Sequence, residues 1–340
     1  MSENYPIDFV VTWVDGNDPV WQAEKAKYQV NVSNDDRNIR YREWDNLQYF
    51  FRGVDKFAPW VNKVYLVTYG HYPKWLNLNC KKLSVVKHED FMNKKYLPTF
   101  NCNPIALNIF RIKDLSERFV FFNDDMFLLR PVKRELFFAG KDCLPTDFAI
   151  ASTLSTTNKY DTVQFMKFNN ITIINTHFDK KEQMKKNFTK WINYKYGWNA
   201  IRNLVLMGEH HFKCFANNHL AFSYLKSECN DLWDKEFIEL DETCSHKFRS
   251  KLDYTDWLIR YWQLAKGCFE PIGRHEKGKV YEIYNGVEQN QELFKIIENQ
   301  TMPMICINDN DNDNVDFEPM KERIKQAFDK ILPEKSSFEK

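Results

Sequence analysis

Adjacent carboxylates closing an apolar run are the clearest chemistry-bearing feature of this chain: Phe119-Val-Phe-Phe122 leads straight into Asn123-Asp124-Asp125. Hard oxygen ligands so placed can hold Mg²⁺ or Mn²⁺ against a diphosphate, although acidic residues after a strand also serve as ordinary turn formers. A second acidic run, Asn308-Asp309 through Asn314, follows the apolar stretch Met302–Ile307. It is not a calcium loop, because counting from Asp309 the position that requires glycine holds Asn314 and the twelfth holds Met320. Asn308 and Asp309 could instead complete a metal site begun by Asp124 and Asp125. Near neutral pH the usual proton acceptor is histidine, and eight are present, at 71, 88, 177, 210, 211, 219, 246 and 275. Residue type alone does not separate His219 from the adjacent pair His210-His211. Arg42, Arg52, Arg111 and Arg249 could grip phosphate oxygens in bidentate fashion, or could equally be solvated or ion-paired.

These groups need a scaffold, and the apolar pattern supplies one. Ile7-Asp-Phe-Val-Val-Thr-Trp-Val14 is a β-branched run that ends on the turn residues Asp15-Gly16-Asn17-Asp18-Pro19. Trp44, Leu47, Phe51, Val54 and Phe57 recur at helical spacing before Pro59, and strands are expected at Val64–Thr68, Leu83–Val86 and Phe119–Phe122. Ile105, Ile109, Ile112 and Leu115 mark one helical face between the last two. Alternating β and α units favour a mostly parallel sheet with its ligand crevice outside the carboxyl ends of the strands, where both Asp15/Asp18 and Asp124/Asp125 fall. From about 155 to 265 the pattern turns helical. Lys279–Tyr284 and Met302–Ile307 read as strands returning to the sheet, and a lysine-rich amphipathic helix is expected over 319–331. The chain accordingly divides into an α/β part (1–154), a helical insert (155–270), a return to the sheet (271–318) and a C-terminal helix and tail (319–340).

Composition narrows the function classes. Lys+Arg 48 against Asp+Glu 47 leaves a net charge of +1, which argues against a polybasic nucleic-acid binder. Glycine numbers only 10, so a glycine-rich phosphate loop is not expected, and the 10 Trp, 16 Tyr and 28 Phe belong mostly to a core. Eight scattered cysteines without a CxxC pair suit reduced, buried thiols, and the four Asn-x-Ser/Thr sequons, at Asn31, Asn170, Asn187 and Asn299, are expected to be incidental. No apolar run is long enough to cross a bilayer and no leader pattern is evident, so a cytoplasmic setting is expected.

The strings Ile7-Asp-Phe-Val-Val-Thr-Trp-Val-Asp-Gly-Asn-Asp-Pro19, Phe57-Ala-Pro-Trp-Val61 with Val64-Tyr-Leu-Val-Thr68, Leu97-Pro-Thr-Phe-Asn101 and Phe122-Asn-Asp-Asp-Met-Phe127 resemble the first two conserved regions of the Stealth family. A third region resembles the stretch from His219 through Lys226 to Asp241-Glu-Thr-Cys-Ser-His-Lys-Phe-Arg249-Ser, and a fourth resembles Cys306-Ile-Asn-Asp-Asn310. The family includes bacterial capsule and surface-polysaccharide hexose-1-phosphate transferases and the catalytic part of the animal N-acetylglucosamine-1-phosphotransferase. The resemblance implies an α/β fold, GT-A-like or Rossmann-like, with a mostly parallel sheet flanked by helices and an inserted helical subdomain. It implies His219 as catalytic base, Arg249 as phosphate clamp, Asp124 as a further catalytic group, and Asp124, Asp125, Asn308 and Asp309 around Mg²⁺ or Mn²⁺. Thr12, Trp13, Val14, Asp15 and Gly16 would border the nucleotide, with Arg52, Asn101, Arg111 and Lys226 as further substrate-binding residues.

The implied partners are a nucleotide-sugar donor, uridine-linked by family analogy, and a glycan acceptor, with the protein working at the inner face of the cytoplasmic membrane. One departure stands out: Ala106 occupies the place where the family pattern leads one to expect an acidic residue, and Cys102 a place where serine is expected. The rival expectations are a metal-dependent glycosyltransferase, which releases nucleoside diphosphate, and a weakened or non-catalytic nucleotide-sugar-binding protein.

Overall fold

The computed structural model describes residues 5–29, 41–156, 161–309 and 316–340. In chain order the first half contains β1 (Ile7–Thr12), α1 (Pro19–Tyr28), α2 (Leu47–Phe57), β2 (Val64–Thr68), β3 (Leu83–Lys87), α3 (Cys102–Asn108), β4 (Arg118–Phe122), β5 (Met126–Leu128), β6 (Phe138–Ala139) and β7 (Leu144–Asp147). The second half contains α4 (Thr162–His177), α5 (Lys180–Lys186), α6 (Phe188–Trp191), α7 (Asn199–Val205), β8 (Phe222–Leu225), α8 (Lys226–Lys235), α9 (Phe237–Ser245), α10 (Trp257–Lys266), β9 (Glu270–Pro271), β10 (Gly278–Glu282), α11 (Gln291–Glu298), β11 (Met304–Asn308) and α12 (Phe317–Ile331).

The central sheet runs in the order β3-β2-β1-β4-β8. Its first four strands are parallel, with Val10 opposite Tyr65 on one side and Phe121 on the other. β8 is antiparallel to β4, Val120 facing Ser223. Both faces are buried, as a parallel sheet requires. Along β1, Ile7, Phe9 and Val11 enter one core cluster while Val10 enters the other, and β2 divides in the same way into Val64/Leu66 and Tyr65/Val67. α2 packs Phe50, Phe51 and Val54 into the first cluster; α10 packs Leu258, Tyr261 and Trp262 into the second. The expected α/β class with a parallel-rich sheet is what the chain adopts.

Three local expectations are corrected. The stretch expected to be helical contains β8, a four-residue buried strand that becomes a sheet edge. β10 and β11 do not rejoin the central sheet; they pair with each other and with β5 in a separate three-stranded sheet, Cys306 lying opposite Met126. The helix expected across Ile105–Leu115 ends at Asn108 and continues as a single 3₁₀ turn, Ile109–Arg111. Asn108 turns its side chain back onto the Pro104 carbonyl at 2.8 Å, the self-bonding that makes Asn a poor helix-interior residue. Of the acidic run after β11, residues 310–314 lie outside the described residues.

The strand order explains where a ligand could sit. From β1 the chain passes outward to β2 and β3, then crosses back to β4 on the other side of β1, so β1 and β4 diverge at a topological switch point. Thr12 and Asn123-Asp124-Asp125 are carried on the two carboxyl ends that flank it.

Candidate active site

A cavity of about 710 Å³ opens at that switch point. β1 contributes Thr12, Trp13 and Val14, and the turn after β4 contributes Asn123, Asp124 and Asp125. α3 and its N-cap bring Ala106 and Asn101, the second half of the chain brings His219, Arg249 and Asp256, and the end of β11 brings Asn308 and Asp309. Residues from distant stretches of sequence thus converge on one cleft.

Each group is held by neighbours. The Trp13 indole N–H donates to Glu43 Oε2 at 2.8 Å, and Trp44 Nε1 donates to Asp309 Oδ2 at 3.2 Å, so the segment after residue 41 braces both walls. Gly16 is required where it stands: a Cβ there would lie 1.9 Å from the Tyr41 carbonyl oxygen. The loop carrying His219 is fixed from behind. Arg260, fully buried, makes a two-pronged pair with Asp147, both contacts at 2.8 Å, and also donates to Asn217 Oδ1. Asn217 in turn donates to the Tyr261 hydroxyl at 2.7 Å.

His219 Nε2 lies 3.3 Å from Asp125 Oδ2 and 3.4 Å from Asn123 Nδ2. Burial works against charge on this imidazole, but Asp125, through charge and hydrogen bond, and then Asp256 outweigh it and raise its proton affinity. Across the cleft, Arg249 donates to the Cys102 sulfur at 3.0 Å. Its loop is tied down by Asp253, which is wholly buried: Oδ2 accepts from Asn101 Nδ2 (2.8 Å), Asn103 Nδ2 (2.9 Å) and Ser250 N (3.0 Å), and Oδ1 meets His246 Nδ1 at 2.6 Å.

The carboxylates have the character of a cation site. Enclosure in the cleft, then the charges of Asp125 and Glu43, push the Asp124 carboxyl up to about 8. Its side chain still reaches cleft water, so this is the desolvation of a pocket floor rather than of a dry core, and it grows as a ligand fills the cleft. Asp125 Oδ1 is enclosed and has no hydrogen-bond partner among the described residues. Repelling carboxylates with an orphaned oxygen are of the kind a divalent ion satisfies, and Asp124, Asp125, Asn308 and Asp309 all line the cleft. Among the described residues, the His, Cys and carboxylate ligand atoms that gather in a set of three within 4.8 Å of one another are those of Asp125, His219 and Cys306. Burial and the Asp125 charge hold the Cys306 thiol well above its ordinary pKa, however, and it donates to Asp125 Oδ2 at 3.2 Å. It therefore acts as a hydrogen-bond donor to the carboxylate rather than as a thiolate ligand.

Not every expected residue is in the cleft. Asp15 and Gly16 follow the lining residue Val14 but do not themselves line the cleft, the Asp15 N–H donating to His71 Nε2 at 2.8 Å. Arg52, Arg111 and Lys226 are elsewhere. Arg52 grips the C-terminal tail, with Glu339 at 2.9 Å on two nitrogens and the Leu332 carbonyl at 2.9 Å. Arg111 bonds Asn108 and lies over Trp233, and Lys226 points to the Leu115 carbonyl. Cys306, Asp253 and Asp256 were not singled out from sequence. Cys306 could have been found inside the Cys306–Asn310 string, whereas nothing in local spacing marks Asp253 or Asp256.

Residues 5–29 match the pattern described as Stealth protein CR1, conserved region 1, and residues 40–144 match Stealth protein CR2, conserved region 2. His219 and Arg249 lie beyond both segments. The chain is 42% identical to the capsular polysaccharide phosphotransferase WcwK of Streptococcus pneumoniae over 344 residues, covering 100% of both chains. It is 42% identical to the receptor polysaccharide phosphotransferase WefC of Streptococcus gordonii, covering 98% of each. The exopolysaccharide phosphotransferase cps2G of Lactiplantibacillus plantarum is 35% identical, with 100% of this chain and 98% of that one covered. Among solved structures, a galactosyltransferase LgtC in complex with donor and acceptor sugar analogues aligns over 94% of this chain and 95% of that one, at 8% identity and a TM-score of 0.36.

Proposed function

The chain belongs to the Stealth family, and from that membership we propose that its cleft transfers a sugar-1-phosphate from a nucleotide-diphosphate sugar to a glycan hydroxyl in the synthesis of a capsule or surface polysaccharide. The acceptor oxygen forms a bond to the β-phosphorus, the bond from that phosphorus to the bridging oxygen breaks, and nucleoside monophosphate leaves. The anomeric bond of the donor sugar stays intact. The observation that carries this reading is the meeting of His219 Nε2 with Asp125 Oδ2 at 3.3 Å in the cleft that Arg249 also lines.

Phosphoryl transfer depends mostly on positioning and charge neutralisation, and the cleft offers both. His219 takes the acceptor proton on its imidazole, which lies beside Asn123 and Asp125. Arg249 neutralises charge on the non-bridging oxygens of the transferred group. Asp124, Asp125, Asn308 and Asp309 would hold Mg²⁺ or Mn²⁺, which when bound supplies positive charge against the diphosphate. Thr12, Trp13 and Val14 border the nucleotide, for which a uridine is the first choice, and Asn101 fixes the floor beneath Arg249. The setting that fits is the cytoplasmic side of the membrane where such glycans are assembled.

The test is to incubate the purified protein and Mg²⁺ or Mn²⁺ with a panel of nucleotide sugars and glycan acceptors, following ³¹P signals. A new phosphodiester resonance with nucleoside monophosphate is expected. Release of nucleoside diphosphate would overturn the reading in favour of attack at the sugar carbon, and donor binding without any turnover would make the protein a nucleotide-sugar binder.

A further inference from the structure

One helix of the second half is inside out. α7 turns its polar Asn203 and small Ala200 inward and exposes its large apolar residues. The Asn203 side chain is a pin: Oδ1 accepts from Ala151 N at 2.7 Å, and Nδ2 donates to the carbonyls of Ala149 and Trp191, each at 2.6 Å. Outward, Trp198 is 88% exposed, Val205 74% and Ile201 46%. Spacings of three, four and seven residues place these three on one stripe. Tyr194, 86% exposed, extends the same surface from the preceding turn. A helix that packs by hydrogen bonds and leaves its hydrophobic stripe in water is unfavourable unless something covers the stripe.

The charge around the stripe says what does. Of the eight Lys or Arg between residues 179 and 213, Lys180, Lys190 and Lys195 bond backbone carbonyls and Lys213 pairs with Glu209, which leaves Lys181, Lys185, Lys186 and Arg202 as the exposed cations of this stretch. Arg202 lies on the stripe itself, a turn from Trp198 and from Val205. Lys180, whose ammonium holds the carbonyls of Leu206 and Glu209, fastens the start of α5 to the end of this surface, and Lys181, Lys185 and Lys186 are exposed on that same short helix. None of Lys181, Lys185, Lys186 and Arg202 makes an ion pair among the described residues. Pairing this face with itself across a two-fold axis would oppose cation to cation. Protruding Trp and Tyr beside unpaired cations suit the headgroup layer of a bilayer, where the rings sit at the interface and the cations meet lipid phosphates.

We propose that the α7 face, with Trp198, Ile201 and Val205 as its apolar contact and Arg202 with the α5 lysines as its charged border, docks the protein on a membrane surface bearing anionic headgroups. The full chain should co-sediment with vesicles of phosphatidylcholine and phosphatidylglycerol and much more weakly with phosphatidylcholine alone, and added salt should weaken the binding. The combined substitution Trp198→Ser, Ile201→Ser, Val205→Ser should reduce binding at least about tenfold, and Arg202→Glu should reduce the anionic preference. Circular dichroism and turnover on a water-soluble acceptor should remain those of the unmodified chain, since these side chains lie outside the cleft. The proposal is overturned if the unmodified chain ignores anionic vesicles at low salt, or if the triple variant, still folded, binds them equally well. It is also overturned if light scattering finds a dimer that the triple substitution dissociates while vesicle binding is absent, in which case the face belongs to a second copy.

Discussion

Two residues test different parts of the cleft's chemistry. His219 is the proposed proton acceptor, and His219→Ala removes its imidazole from beside Asp125 without disturbing Thr12, Trp13 or Val14. Turnover should fall by about 10²–10⁴-fold while calorimetric binding of the donor persists; loss of donor binding with the chemistry preserved would refute the assignment. Asp253 works at one remove, because its buried Oδ2 gathers three donors that hold the Arg249 loop against the start of α3. Asp253→Asn keeps the shape but either turns an amide N–H₂ toward those donors or gives up the His246 contact. A loss of about 1–3 kcal/mol in unfolding free energy is expected. Steady-state kinetics should also show kcat falling by about ten-fold or more with KM for the donor little changed, as when a charge clamp is misplaced. A variant that is merely less stable, with kcat intact at low temperature, would show that Asp253 supports the fold and not Arg249. Ala106, 8% exposed, puts only a methyl on the same wall, and the carboxylates that line the cleft are those of Glu43, Asp124, Asp125, Asp256, Glu282 and Asp309.

At the level of elements, the clearest local requirement is the turn from β1 into α1. Gly16 passes under the Tyr41 carbonyl, and its own carbonyl accepts from Gln22 Nε2 at 2.7 Å. Gly16→Ala forces that loop away from the segment that braces Trp13 and Asp309. We expect a loss of about 1–3 kcal/mol in stability and weaker nucleotide binding by calorimetry, with kcat at saturating donor less affected; unchanged affinity would show that the β1 turn does not border the nucleotide. This turn, like β1, β2, β3 and β4 themselves, was legible in sequence because a continuous apolar run closed by Asp, Gly, Asn and Pro is a local signal. β8 was not, since Phe222–Leu225 is too short to show periodicity and its pairing with β4 depends on tertiary contact. The same limit explains Arg52. A guanidinium reads as a phosphate grip until its partner Glu339 arrives from 287 positions away. The cleft's acids and His219 were found through motif strings, whereas Asp253 and Asp256 are defined only by what folds around them.

For the molecule as a whole, the cleft lies where the two hydrophobic clusters meet, and a partly stranded imidazole in its wall makes stability depend on pH. His88, just after β3, has an enclosed Nδ1 without a hydrogen-bond partner among the described residues, and burial, then the neighbouring His71, push its pKa down from 6.5 to about 4. Between those values the unfolded chain takes up the proton and the folded chain does not. The stabilising contribution is therefore complete above pH about 6.5 and is lost as pH falls to about 4, amounting to up to about 3 kcal/mol, and less to the extent that cleft water reaches the ring. Asp231 and Glu339, held below their usual range despite partial burial by their Lys and Arg partners, contribute above the ordinary carboxylate range and are lost only on further acidification. Asp124, pushed up to about 8 by enclosure and by Asp125, tilts the profile the opposite way, because its folded form binds a proton that the unfolded form has released. The readout is therefore a difference. Urea unfolding of the unmodified chain and of His88→Phe should give free energies whose gap changes with pH between about 4 and 6.5 and is level above that window. A gap that stays constant across it would mean that His88 titrates as an ordinary surface histidine and that the cleft wall is wetter than its packing implies.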